Sequence, residues 1–141
     1  MYYGKGTEED ILGNLYTVIN NISGIKFVDW QKIYDSGITP DRYPGVFINH
    51  IRTDKKRLLK NIIKNTMAVA LVSWVWATDI ENLGTKMNDF ITSIRDAVAA
   101  DPTRSNNAYN TVIQAVTTDG GSRHPQGMGI ISLVITYFSE K

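Results

Sequence analysis

Thr66-Met67-Ala68-Val69-Ala70-Leu71-Val72-Ser73-Trp74-Val75-Trp76-Ala77 is the stretch on which the fold turns. Read with a period of two, one face carries Met67, Val69, Leu71, Ser73 and Val75, and the other carries Ala68, Ala70, Val72, Trp74 and Trp76. Both faces are nearly apolar, the pattern of a strand in the middle of a sheet with cover on each side. Trp74 and Trp76 share a face and read as core residues beneath a helix. From Met67 to Ala77 this is also the longest apolar run, 11 residues with Ser73 inside it, short of the roughly 20 needed to cross a bilayer. No membrane helix is expected, and Met1 to Lys5 lacks the charged start and apolar region of a secretory signal.

Downstream, Asp79 precedes Ile80, Leu83, Met87, Phe90, Ile91, Ile94 and Val98, which keep helical spacing until Asp101-Pro102 stops them. That helix of about five turns is the main cover of the sheet. Tyr109 to Thr118 and Met128 to Phe138 read as strands joined by the nine-residue loop Asp119-Gly120-Gly121-Ser122-Arg123-His124-Pro125-Gln126-Gly127, and are expected to pair antiparallel. Gly120, Gly121 and Gly127 are expected to supply backbone angles that other residues resist.

Upstream, Thr7 to Ser23 reads as an amphipathic helix. Thr7 is its cap, Glu8, Glu9 and Asp10 lie at the positive end of its dipole, and Ile11, Leu12, Leu15, Val18, Ile19 and Ile22 form its apolar stripe, with Gly24 as the stop. Ile25 to Trp30 alternates as a short, partly covered strand, the turn formers from Asp35 to Gly45 predict an irregular loop, and Val46 to Ile51 resumes a strand. The segment from Arg52 to Lys64 fits either a helical face, through Leu58, Leu59, Ile62 and Ile63, or the rim of a hairpin. Helix, two strands, a long strand, helix and two strands give an α+β fold, a mostly antiparallel sheet of four to five strands with two main helices packed on it.

The chain has 141 residues, 15 Lys and Arg against 14 Asp and Glu, and no cysteine. This length suits one domain, residues 1–141, and the missing cysteines exclude a disulfide framework, a thiolate metal site and a cysteine nucleophile. Little else suggests catalysis. His50, at the end of a strand, and His124, in a Gly/Pro-rich loop, are the only histidines, without metal-ligand spacing, and read as surface or rim residues. Asp119-Gly120-Gly121 matches neither a phosphate loop nor a calcium loop, and no Gly-x-Ser-x-Gly occurs. No catalytic residue, metal or cofactor is therefore expected, and the chain reads as a protein that is not an enzyme.

The net charge of +1 hides an asymmetry, because the stretch from Arg52 to Lys64 sets Arg52, Lys55, Lys56, Arg57, Lys60 and Lys64 against Asp54 alone. A solvated face or an acidic protein partner fits this better than nucleic acid, since no aromatic residue interleaves the cations and the domain as a whole carries no positive excess.

The series Val72-Ser73-Trp74-Val75-Trp76-Ala77-Thr78-Asp79, a helix, Asp101-Pro102-Thr103, Val116-Thr117-Thr118-Asp119-Gly120, then Pro125-x-Gly127 leading to Ile135-Thr136-Tyr137, resembles the small tail-terminator or tail-completion proteins of long-tailed bacteriophages. The first helix and Tyr43-Pro44-Gly45-Val46-Phe47-Ile48 extend the resemblance over most of residues 7–138. It implies a virion protein that assembles, usually as a hexamer, into a ring at the head-proximal end of the tail. That ring would be built in the host cytoplasm, with the tail tube protein and a head-completion or connector protein as partners, genomic DNA passing through it, and no membrane. A connector ring of the neck, or a small nucleic-acid-binding domain using Arg52 to Lys64, are the alternatives. The family has no catalytic motif, and the basic segment corresponds to none of its motifs. The expected contact residues are Arg52, Lys55, Lys56, Arg57, Lys60 and Lys64, with Asp119, Gly120, Gly121, Arg123, His124 and Pro125 in the last loop.

Overall fold

The computed structural model describes residues 8–30 and 42–140. The elements run α1 (Glu8–Asn20), β1 (Phe27–Trp30), β2 (Gly45–Leu59), β3 (Ile62–Trp76), α2 (Ile80–Ala99), β4 (Asn110–Thr118) and β5 (Gln126–Glu140). The strands form one sheet in the order β1-β2-β3-β5-β4, with β1 and β2 parallel and every other pair antiparallel. This is the expected α+β class, with β3 in the middle as its two apolar faces require.

Both helices lie on one face of the sheet. Ile11, Leu15 and Ile19, one turn apart on α1, and Leu83, Met87, Ile91, Ile94 and Val98 of α2 join Val46, Ile48, Met67, Val69, Leu71, Val75, Ile131, Leu133 and Ile135 in one core. The strand members are alternate residues of β2, β3 and β5, as the pleat dictates. Asp79 caps α2 by accepting a hydrogen bond from the Glu81 amide at 3.0 Å. Ile80 belongs to the expected apolar stripe, yet it is exposed at the first position of α2.

Trp74 does not lie beneath a helix. Its register partners are Gly45 and Met128, on the face that the helices leave uncovered, where it is buried in a second cluster with Phe27, Tyr43, Phe47 and Val72. Trp76 packs at the margin of the same cluster. Hydrophobicity gives the alternation, but which of two apolar faces receives the helices depends on pairing with β2 and β5.

Strand and helix ends also moved. α1 ends at Asn20 rather than Ser23, and Gly24, at φ +86°, reverses the chain just beyond. The Thr7 cap and most of the turn-rich stretch, up to residue 41, lie outside the described residues. β1 is only Phe27–Trp30, partly covered as expected, with Phe27 buried on one face, Val28 on the other, and Asp29 and Trp30 exposed. β5 begins at Gln126, which shortens the last loop.

The largest difference is in β2. It continues to Leu59 instead of stopping at Ile51, and the basic segment forms a hairpin, closed through Lys60 and Asn61. Charged residues are admissible in these strands because both faces there meet water. Register shifts at Ile51 and Leu58 leave each of these residues without a ladder partner and exchange the two faces of β2. A period-two reading fails across such a shift.

Candidate assembly surface

β2, β3 and the end of β5 run past the helices as a three-stranded arm. Ile62 pairs with Glu140 and Lys64 with Phe138, whereas β4 joins only at Thr136. At 3.4 Å per residue the arm from Arg52 to Leu59 is on the order of 20 Å long. All six expected cations lie on it, and each is exposed. Lys55 and Arg57 fall on the helix-side face, opposite Asn65 and Ile63, and Arg52, Lys56 and Lys64 fall on the other, with Lys60 in the turn.

Charge on the arm is only slightly compensated internally. Arg52 Nε lies 3.3 Å from Asp54 in an exposed ion pair, and Lys55 Nζ donates to Asn65 Oδ1 at 3.0 Å. Lys56 and Lys64 stand directly opposite each other across the hairpin, a like-charge pair that destabilises it. Apolar side chains accompany the cations at the tip, where Leu58 is 46% and Leu59 66% exposed.

Two polar nodes fix the arm at its base. Asn65 is fully buried and donates from Nδ2 to Ser139 Oγ at 2.9 Å and to the Tyr137 carbonyl at 3.4 Å, tying β3 to β5. His50 lies within β2 rather than at a strand end. Its Nε2 is 2.8 Å from Thr53 Oγ1 and 3.2 Å from Glu8 Oε2, and the Thr53 hydroxyl also donates to Glu8, so the start of α1 is held against the arm. Burial, and secondarily the Glu8 charge, push the nearby Tyr137 phenol above its ordinary pKa.

The second expected group lies at the opposite end of the sheet, on the order of 45 Å away along β3. Asp119 is turned onto its own loop, accepting from the Gly121 amide at 3.1 Å and the Met128 amide at 3.3 Å, with Arg123 Nε at 3.9 Å. Gly120 and Gly121 have φ of +63° and +84°, as turns of this kind require. Gly127 is needed for another reason, since a Cβ there would meet Val75 at 2.9 Å and Leu83 at 3.0 Å. The exposed His124 ring lies 2.6 Å from the Thr78 carbonyl, and the Pro125 carbonyl accepts from the Ala77 amide at 3.0 Å. The two expected groups are therefore not one surface.

Beside that end, Ser23, Tyr43, Pro44, Val75, Trp76, Lys86, Asp89, Phe90 and Ser93 line a groove of about 300 Å³ between α2 and the strand ends. The sequence reading missed this groove, because its walls come from four separated segments. It missed Arg104 as well, which is fully buried and donates from Nη2 to the carbonyls of Val98 and Asp101, closing the C-terminal end of α2. An arginine just past a helix stop is the signal that would have found it. Burial lowers the pKa of Arg104, and the nearby Asp101 carboxylate works against that shift. Hydrogen bonds from the Thr103 hydroxyl and the Ser105 amide hold the Asp101 carboxyl below its ordinary value.

No protein-family model and no curated protein matches the sequence. Among solved structures, a chain described as "Virion of native gene transfer agent (GTA) particle" overlays with a TM-score of 0.45 and 10% sequence identity, covering 93% of this chain and 92% of that chain.

Proposed function

We propose that this protein is a structural subunit of a phage tail, a tail terminator that works as a ring of six copies at the head-proximal end of the tube. There it stops tube polymerisation and meets the head-completion complex, with no catalytic role. The observation that carries this reading is a pair of unlike surfaces on one chain. One is the basic arm, and the other is β4, an edge strand that pairs only with β5 among the described residues and exposes Val112 and Val116. A ring closes through a heterologous contact, so each subunit needs two different patches, and an edge strand is a ready joining surface. The motif series from Val72 to Tyr137 supports the tail assignment through the resemblance it carries.

The test is assembly. Purified protein is expected to form rings visible as single particles and to limit the length of tubes grown from the tail tube protein. Phage lacking it are expected to make tubes of abnormal length that do not join heads. A protein that stays monomeric at high concentration and does not cap tubes, or a deletion that leaves normal tubes joined to heads, overturns the proposal. A virion reconstruction distinguishes this position from that of a connector ring on the capsid side.

A further inference from the structure

The tip of the arm pairs exposed apolar side chains with cations, and the groove beside Trp76 on its own chain lies out of its reach. Leu58 and Leu59 project from the Ile62 end of β3, whereas the groove beside Trp76 lies at the other end of the same strand, on the order of 45 Å away. An arm built on β3 cannot fold back over that distance, so Leu58 and Leu59 can reach such a groove only on another molecule.

The surface around the groove has the opposite charge. Residues 79–101, which include α2, carry five carboxylates against two cations. Glu81, Asp89 and Asp96 are all exposed and fall within a sector of about 80° of the helix, away from the buried Leu83, Met87, Phe90, Ile91, Ile94 and Val98. They form an acidic ridge, with Arg95 on one flank. Asp89 also lines the groove, and the groove's one cation, Lys86, donates to the Trp76 carbonyl at 3.2 Å.

We propose, on the basis of the ring reading above, that the arm of one copy docks on α2 of a second copy. Leu58 and Leu59 enter the groove beside Trp76 and Phe90, and the cations of the arm lie against Glu81, Asp89 and Asp96. Carboxylates of the second copy offset the repulsion between Lys56 and Lys64, which the isolated chain leaves uncompensated. The leucines supply affinity by desolvating an apolar groove, and the charges set the register and exclude wrong partners. A nucleic acid backbone satisfies the cations but offers no groove for two leucines. The contact is heterologous, arm to helix, so it repeats from copy to copy and is able to close a ring.

Charge exchange tests it, with mass in solution measured by light scattering at low salt. The arm reversal Lys55→Glu, Lys56→Glu, Arg57→Glu and the ridge reversal Glu81→Lys, Asp89→Lys, Asp96→Lys are each expected to weaken self-association at least about tenfold. One chain carrying both reversals is expected to recover it, because the two charges have changed places. Leu58→Ser with Leu59→Ser is expected to weaken association by a similar factor. The substituted side chains are exposed, and an unchanged thermal melt checks each fold. Rings that form undiminished in either reversal, or a double reversal no better than the single ones, overturn the docking while leaving the ring reading intact. A wild-type chain that never associates overturns both. Loss of DNA binding with unchanged assembly in the arm reversal assigns the arm to nucleic acid and overturns the docking.

Discussion

Gly129 has no side chain because α2 leaves no room for one. A Cβ at this position would lie 2.8 Å from Met87 Sδ and 3.1 Å from Ile91 Cδ1, both buried in the main core. Gly129→Val is therefore expected to cost about 1–3 kcal/mol by overpacking, and more if α2 is pushed off the sheet. Thermal unfolding measures it, and an unchanged midpoint would show that α2 does not press on β5. Neither Gly129 nor Gly127 has a positive φ, so their identity is decided by a helix that the local sequence does not contain. Gly120 and Gly121 differ in this respect, since their need for positive φ is local to the turn and legible in the dipeptide itself. Trp74 shows the same division. Its burial follows from the apolar run, but its place opposite the helices depends on the register of β3 with β2 and β5.

At the scale of elements, the arm is an extension rather than a part of the core. Its residues from Asp54 to Lys60 are exposed, and the helices cover the sheet only as far as Met67, Ile135 and Tyr137. Replacing residues 56–64 by Asn-Gly, which forms a two-residue hairpin turn between the paired Lys55 and Asn65, is expected to lower the melting temperature by less than about 5 °C. The same variant is expected to lose self-association. A chain that no longer folds after this excision would place the arm within the cooperative unit. The sequence left this segment open between helix and hairpin because its cations face water on every side. Solvent imposes no period on a pattern, and the shifts at Ile51 and Leu58 break the one that remained.

At the scale of the whole molecule, stability is expected to fall away from the centre of the sheet towards the arm. β3 is paired on both sides from Ile62 to Trp74, and its helix-side residues from Met67 to Val75 are buried, as are Ile131, Leu133 and Ile135 of β5. Hydrogen exchange under conditions that keep the protein monomeric is expected to be slowest in these segments and fastest from Thr53 to Lys60. Arm amides as slow as those of β3 in the monomer would contradict this gradient. By itself the sequence determined the kinds and order of the elements outside the basic segment and the centre of the sheet, because these depend on hydrophobic period, caps and breakers acting over a few residues. Only the tertiary structure decided which face of β3 the helices cover, that the basic segment projects as an arm, and that the groove lies at the far end, with the acidic ridge running from there along α2. Those outcomes depend on strand pairing between segments distant in the chain, and a one-residue shift of that pairing turns every side chain to the other face.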